Sequence, residues 1–218
     1  KGYEPGGLRH EPVTFDNQGN PSLSTYNKEE AIQYELGWKG SFMEGRGNFS
    51  MAAFMIDYED RLFTTLVQSP TGPFESIDNT GDSENIGFEL EIAYQATEYL
   101  TVAAAFGTLE AEWNNGTIIS GVDVSGQTPS GSIDNGVALA ANYARPLDNG
   151  MEFVADFQYN RRGPSMSMPP QNAIDNPSYY TLNLTTGIRS GNWEFMIHGE
   201  NLTDENYYTD LENWVNLG

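Results

Sequence analysis

Apolar and polar side chains alternate residue by residue along this chain, and the connections between those stretches alternate between short and long. Tight turns fall near Met43–Gly47, Gln95–Glu98, Pro146–Gly150 and Arg189–Asn192, and long loops run through His10–Asn27, Val67–Asn85, Asn114–Asn135 and Arg161–Pro177. An antiparallel barrel produces this rhythm when one rim is trimmed to hairpins and the other carries the binding apparatus. The expectation is therefore an all-β fold, a transmembrane antiparallel β-barrel of the bacterial outer membrane.

Successive strand residues point to opposite faces, so each stretch can be split into an oily side and a wet side. Phe88, Leu90, Ile92 and Tyr94 oppose Glu89, Glu91 and Gln95. Ile32, Tyr34, Leu36, Trp38 and Phe42 oppose Gln33, Glu35 and Lys39. The same split separates Phe153, Phe157 and Tyr159 from Glu152, Asp156, Gln158 and Asn160, and Trp193, Phe195 and Ile197 from Glu194, His198 and Glu200. Tyr180, Leu182, Leu184 and Ile188 oppose Thr181, Asn183, Thr185 and Arg189, while Leu100, Val102 and Phe106, and Val137, Leu139 and Tyr143, line one face of two more strands. Asn48–Leu62 is ambiguous, because with Phe49, Met51 and Met55 it reads as apolar on both faces over part of its length. The pattern predicts about nine strands, each near or above the ~9–11 residues that a tilted strand needs to cross a bilayer. Aromatics cluster toward strand ends, which suits interfacial girdles.

Composition narrows the function. The 218 residues carry 10 Lys plus Arg against 31 Asp plus Glu, a formal charge of −21. This acidic balance argues against nucleic acid as a partner, because phosphate contacts need clustered Lys and Arg. With no cysteine, disulfide frameworks and thiol nucleophiles are excluded as well. No apolar run approaches the ~18 residues of a membrane helix, and no secretory h-region opens the chain. A catalytic site is hard to assemble from His10 and His198, which lie far apart in a sequence with no nucleophile-elbow or zinc-protease motif; the chain reads as a non-enzyme without cofactor. A hydrogen-bonded wall position is the expectation for His198. Asp78–Glu84 concentrates oxygens that a hard cation would favour, but its spacing matches no EF-hand loop, and a solvated acidic loop is the plainer reading. Two rival folds remain open here. One is a self-contained porin-like or adhesive barrel; the other is a secreted soluble glycan-binding β-sandwich, which also alternates.

The segment Trp193-Glu-Phe-Met-Ile-His-Gly-Glu-Asn-Leu-Thr-Asp-Glu-Asn-Tyr-Tyr208 resembles the penultimate strand and following turn of TonB-dependent outer membrane receptors. Tyr34–Lys39, Ala52–Asp60 and Gly87–Ile92 are similar to three further barrel segments of that family, in the family's order, and Lys1–Gly7 to a stretch slightly upstream. The resemblance covers essentially residues 1–218. It implies a barrel of about 22 strands closed around an N-terminal plug, energised by TonB–ExbB–ExbD, taking up a scarce large solute, with iron–siderophore the leading cargo. The expectation is a C-terminal portion supplying about nine to ten of those strands, with neither plug nor final closing strand present. Glu89, Glu91, Asp156, Glu194 and Glu200 would then face the plug, where a trapped carboxylate needs a basic partner or hydrated space. Arg161, Arg162, Met166 and Met168 form a cationic and soft loop suited to an anionic ligand; the arginines could equally meet lipopolysaccharide phosphates or neighbouring strands.

Overall fold

The computed structural model describes residues 1–8, 14–15, 21–22, 25–69, 72–119, 121–167 and 174–209. Nine strands form one antiparallel meander in strict sequence order: β1 (Gly2–Glu4), β2 (Glu29–Phe42), β3 (Gly47–Ser69), β4 (Gly72–Gln95), β5 (Leu100–Trp113), β6 (Asn135–Pro146), β7 (Glu152–Arg162), β8 (Tyr179–Ser190) and β9 (Trp193–Gly199). β1 and β9 are open edges, so the sheet is a partial barrel. Two-residue and three-residue ribbons decorate the long-loop end, among them Ile118–Ile119 with Val122–Asp123, and Ser165–Ser167 with Ile174–Asn176.

Among the described residues no second sheet or helix layer covers the wall. Of the buried apolar side chains among the described residues, only Val154 and the end-of-strand pair Ala111 and Trp113 belong to the nine strands. A sandwich would bury one whole face of each strand, so the single layer removes that rival. Cross-strand register carries the predicted oily face intact around the arc. One row runs Trp38, Met51, Leu90, Phe106, Val137, and the next runs Phe49, Ile92, Ala104, Leu139, Tyr159, Leu182. Leu36 and Phe195 on this face are 81% and 64% exposed, which a water-facing surface would not sustain over a whole sheet face.

The short turns sit together at one rim. Met43 and Glu44 both have positive φ, 52° and 58°, in a tight turn closed by Gly45 N–H donating to Phe42 O at 3.2 Å. Thr97 Oγ1 accepts from the N–H groups of Tyr99 and Leu100 in the next. Aromatic pairs gather at this rim: Phe42 stacks with Tyr94, and Tyr143 meets Phe153 edge-on. Arg46 lies over the Tyr94 ring and Arg145 over Tyr99, so ring and guanidinium share the position where an apolar band meets polar surroundings.

Two expectations change. Residues 67–69 and 72–85, expected as loop, are strand: β3 and β4 keep pairing from Leu62 with Asn79 out to Ser69 with Gly72, after an irregularity at Tyr58–Leu62 where Asp60 takes φ 54°. Asp78–Glu84 therefore lies in a strand, and among the described residues no three His, Cys, Asp or Glu converge as a metal-binding group. The ambiguous strand also resolves. Phe49, Met51 and Met55 share the outer face, while Phe54 turns inward over Gly87, where any Cβ would overlap its ring.

Candidate functional site

The inner face is polar, with small residues at its centre. One register row reads Lys39, Ser50, Glu91, Ala105, Ala138, Asn160, Thr181, and the neighbouring row reads Gly37, Ala52, Glu89, Gly107, Gly136, Arg162, Tyr179. The alanines leave a hollow of about 470 Å³ bordered by Asn48, Ser50, Glu91, Gln158 and Asn160. Closer to the short-turn rim a polar chain crosses four strands. Asn142 Nδ2 donates to Asp156 Oδ1 at 2.6 Å, Thr185 Oγ1 lies 2.6 Å from His198 Nδ1, and His198 Nε2 lies 3.0 Å from Glu200 Oε1.

Glu89, Glu91, Asp156 and Glu194 share this inner face, and Glu200, just past β9, joins it through His198. Asp156 and Glu200 are held as described; Glu194 meets Arg189 at 3.4 Å. Among the described residues Glu89 and Glu91 have no ion-pair partner, and both are exposed. The two arginines part company. As neighbours in β7 they fall on opposite faces: Arg161 pairs with Val137 and Tyr180 in an outer row, where Nη1 donates to Asn135 Oδ1, while Arg162 points inward. Met166 is half-buried in the small ribbon, and Met168 lies outside the described residues.

Around Arg162 the structure builds an arrangement the sequence did not suggest. Beyond β9 the chain runs on in the same direction alongside β8, towards Tyr179. Asn201, at φ 46°, donates its N–H to Asn183 Oδ1 at 2.9 Å. Its side chain brackets Glu205, accepting from the N–H at 3.1 Å and donating to the carbonyl at 3.0 Å. Leu202 N–H donates to Leu182 O. Tyr207 stacks on Tyr179 with centroids 4.2 Å apart and planes 9° from parallel. Asn176 Nδ2 donates to Tyr208 O, and Arg162 donates to Thr209 O and to Ser165 Oγ, the first two at 3.2 Å and the last at 3.3 Å. Asn176 Oδ1 and Arg162 Nε are buried without a partner.

The long-loop rim also holds a small core. Trp113, Ile119 and Val124 are buried against Phe63 and Val122. Arg61 lies over the rings of Tyr58 and Trp113 and donates to Ser83 Oγ at 3.0 Å. Asp123 Oδ1 accepts from both Oγ–H and N–H of Ser125, which holds its carboxyl below the usual range. The loop 114–134 is thereby clamped onto the extended β3–β4 hairpin.

Residues 2–202 match the family model described as "TonB dependent receptor-like, beta-barrel". The metal-pseudopaline receptor CntO of Pseudomonas aeruginosa (strain UCBPP-PA14) is 24% identical over 94% of this chain, which spans 28% of that relative's length. Among solved structures, the ferric yersiniabactin uptake receptor FyuA from Yersinia pestis superposes with a TM-score of 0.75 at 19% identity, covering 98% of this chain and 30% of that one. BauA, the ferric preacinetobactin receptor from Acinetobacter baumannii, superposes with a TM-score of 0.65 at 18% identity, covering 94% of this chain and 30% of that one.

Proposed function

Since the chain belongs to the TonB-dependent receptor β-barrel family, we propose that it forms a C-terminal stretch of wall in an outer membrane transporter for a scarce metal chelate, with a ferric siderophore leading. The carrying observation is the two-faced single layer: an apolar outside, interrupted at the long-loop end by Arg161, and a carboxylate-bearing inside. An open sheet cannot stand in hydrocarbon with unpaired edges. The strands that complete β1 and β9, and the plug, are assigned to the rest of a longer polypeptide. The spans of 28–30% in its relatives support that assignment.

In this reading the plug couples to TonB–ExbB–ExbD and releases the solute inward. Glu89 and Glu91, unpaired among the described residues, are assigned to basic plug side chains; Asp156, Glu194 and Glu200 line the same lumen. Arg162, at the inward end of β7, and the segment after it that carries Met166 and Met168 are assigned to the ligand-facing mouth; Arg161, on the outer face, is assigned to neighbouring strands or lipopolysaccharide at that rim. The printed names of the relatives, receptors for ferric chelates and a metal-pseudopaline complex, support the cargo class.

The test is radiolabelled ferric-siderophore uptake by the full-length receptor in a host stripped of its own siderophore receptors, with and without functional TonB. Uptake that requires both the receptor and TonB is expected. Entry that persists without TonB, or free swelling of liposomes loaded with the receptor, would replace the transporter by a passive pore.

A further inference from the structure

We propose that residues 200–209 are a strap that holds the ribbon Ser165–Ser167 with Ile174–Asn176 against the inner wall and keeps the Arg162 guanidinium occupied. The strap's two ends touch different things. Its first turn is fastened to the wall alone, through Asn183 and Leu182, and stiffened by the Asn201–Glu205 bracket. Its far end touches the mouth: Tyr207 on Tyr179, Tyr208 O on Asn176, Thr209 O on Arg162. The bracketed turn ends at Glu205 and the far contacts begin at Tyr207, so the strap swings about the short stretch between them.

The closed position is poised. It leaves Asn176 Oδ1 and Arg162 Nε buried without a hydrogen-bond partner, and release would return both to water. What opposes release is one ring stack and two single hydrogen bonds to carbonyls. Arg162 faces the lumen in the row of Glu89, so a freed strap adds a cation to an inner face otherwise rich in carboxylates. The proposal rests on that face being the lumen, but its test uses no solute and no TonB.

The test is amide hydrogen exchange on the full-length receptor in lipid, read at Ser165–Ser167 and Ile174–Asn176, together with the rate of Arg162 modification by phenylglyoxal. In Tyr207→Ala, exchange in the ribbon should rise about three- to tenfold, the worth of an aromatic stack, and Arg162 should react faster. Tyr207→Phe keeps the ring and should match wild type in both readings. Unchanged exchange and reactivity in Tyr207→Ala overturns the strap. So does an equal rise in Tyr207→Phe, or a rise spread evenly over β6 and β7, which would make Tyr207 a general support of the wall. A wild-type receptor that takes up no ferric siderophore, while Tyr207→Ala still loosens the ribbon and Arg162 as expected, would strike the transport reading and leave the strap standing.

Discussion

Placing an arginine on either face of the same stretch of wall separates the two faces energetically. Leu90 lies in the outer row between Met51 and Phe106, four residues from Tyr94 at the short-turn rim. At about 3.4 Å per residue and a tilt of about 40°, four residues descend about 10 Å from that rim. This is close to the middle of an apolar band about 25 Å tall. Leu90→Arg should therefore cost about 2–4 kcal/mol of stability in the bilayer, and the same change at Tyr94 about 0–1 kcal/mol. Ser50→Arg, on the inner row between Lys39 and Glu91, gains a carboxylate neighbour beside a lysine and should move stability by no more than about 1 kcal/mol. The assay is urea unfolding of the full-length receptor from lipid vesicles, followed by tryptophan fluorescence and by heat-modifiable gel mobility. If Ser50→Arg is as costly as Leu90→Arg, the oily rows do not face lipid and the reasoning fails.

Trp113→Ala empties the rim core and should weaken attachment of loop 114–134 by about 3–5 kcal/mol, seen as faster limited proteolysis within that loop while the transmembrane ladder stays protected. Asn201→Ala removes both hydrogen bonds to Glu205 and should cost about 1–3 kcal/mol; Asn201→Gly, which accepts the positive φ but lacks the amide, should lose nearly as much, and a wild-type urea midpoint in either would contradict the bracket. The Asp123 carboxyl is depressed by Ser125, so its contribution is complete above the unfolded value near ~3.9 and fades only as pH falls through the lower folded one. Loop proteolysis should thus be flat from pH 7 to pH 5 and rise only below about 4, and Asp123→Asn should flatten that rise.

The inner and outer faces of β4, β7 and β9 were legible in the sequence because strand pleating fixes a period of two, independent of what the strand packs against. Family membership was legible for the same reason: the repeated alternation and the Asn-Leu-Thr-Asp turn are local. Other features depend on partners distant in sequence. The β3–β4 ladder beyond the membrane looked like a loop because Pro70 to Asp82 holds turn residues and little alternation, yet register inherited from the wall carries it to Ser69 and Gly72. Arg161 and Arg162 read as a pair while they were placed in a loop; once β7 includes them, the pleat sends them to opposite faces. The core of Phe63, Trp113, Ile119 and Val124, and the strap that brings Tyr207 onto Tyr179, join segments whose contact no local pattern encodes. Side-chain direction along a strand is a property of the backbone and is written residue by residue; which loops meet at the rim depends on long-range closure of the sheet, and only the folded chain decides it.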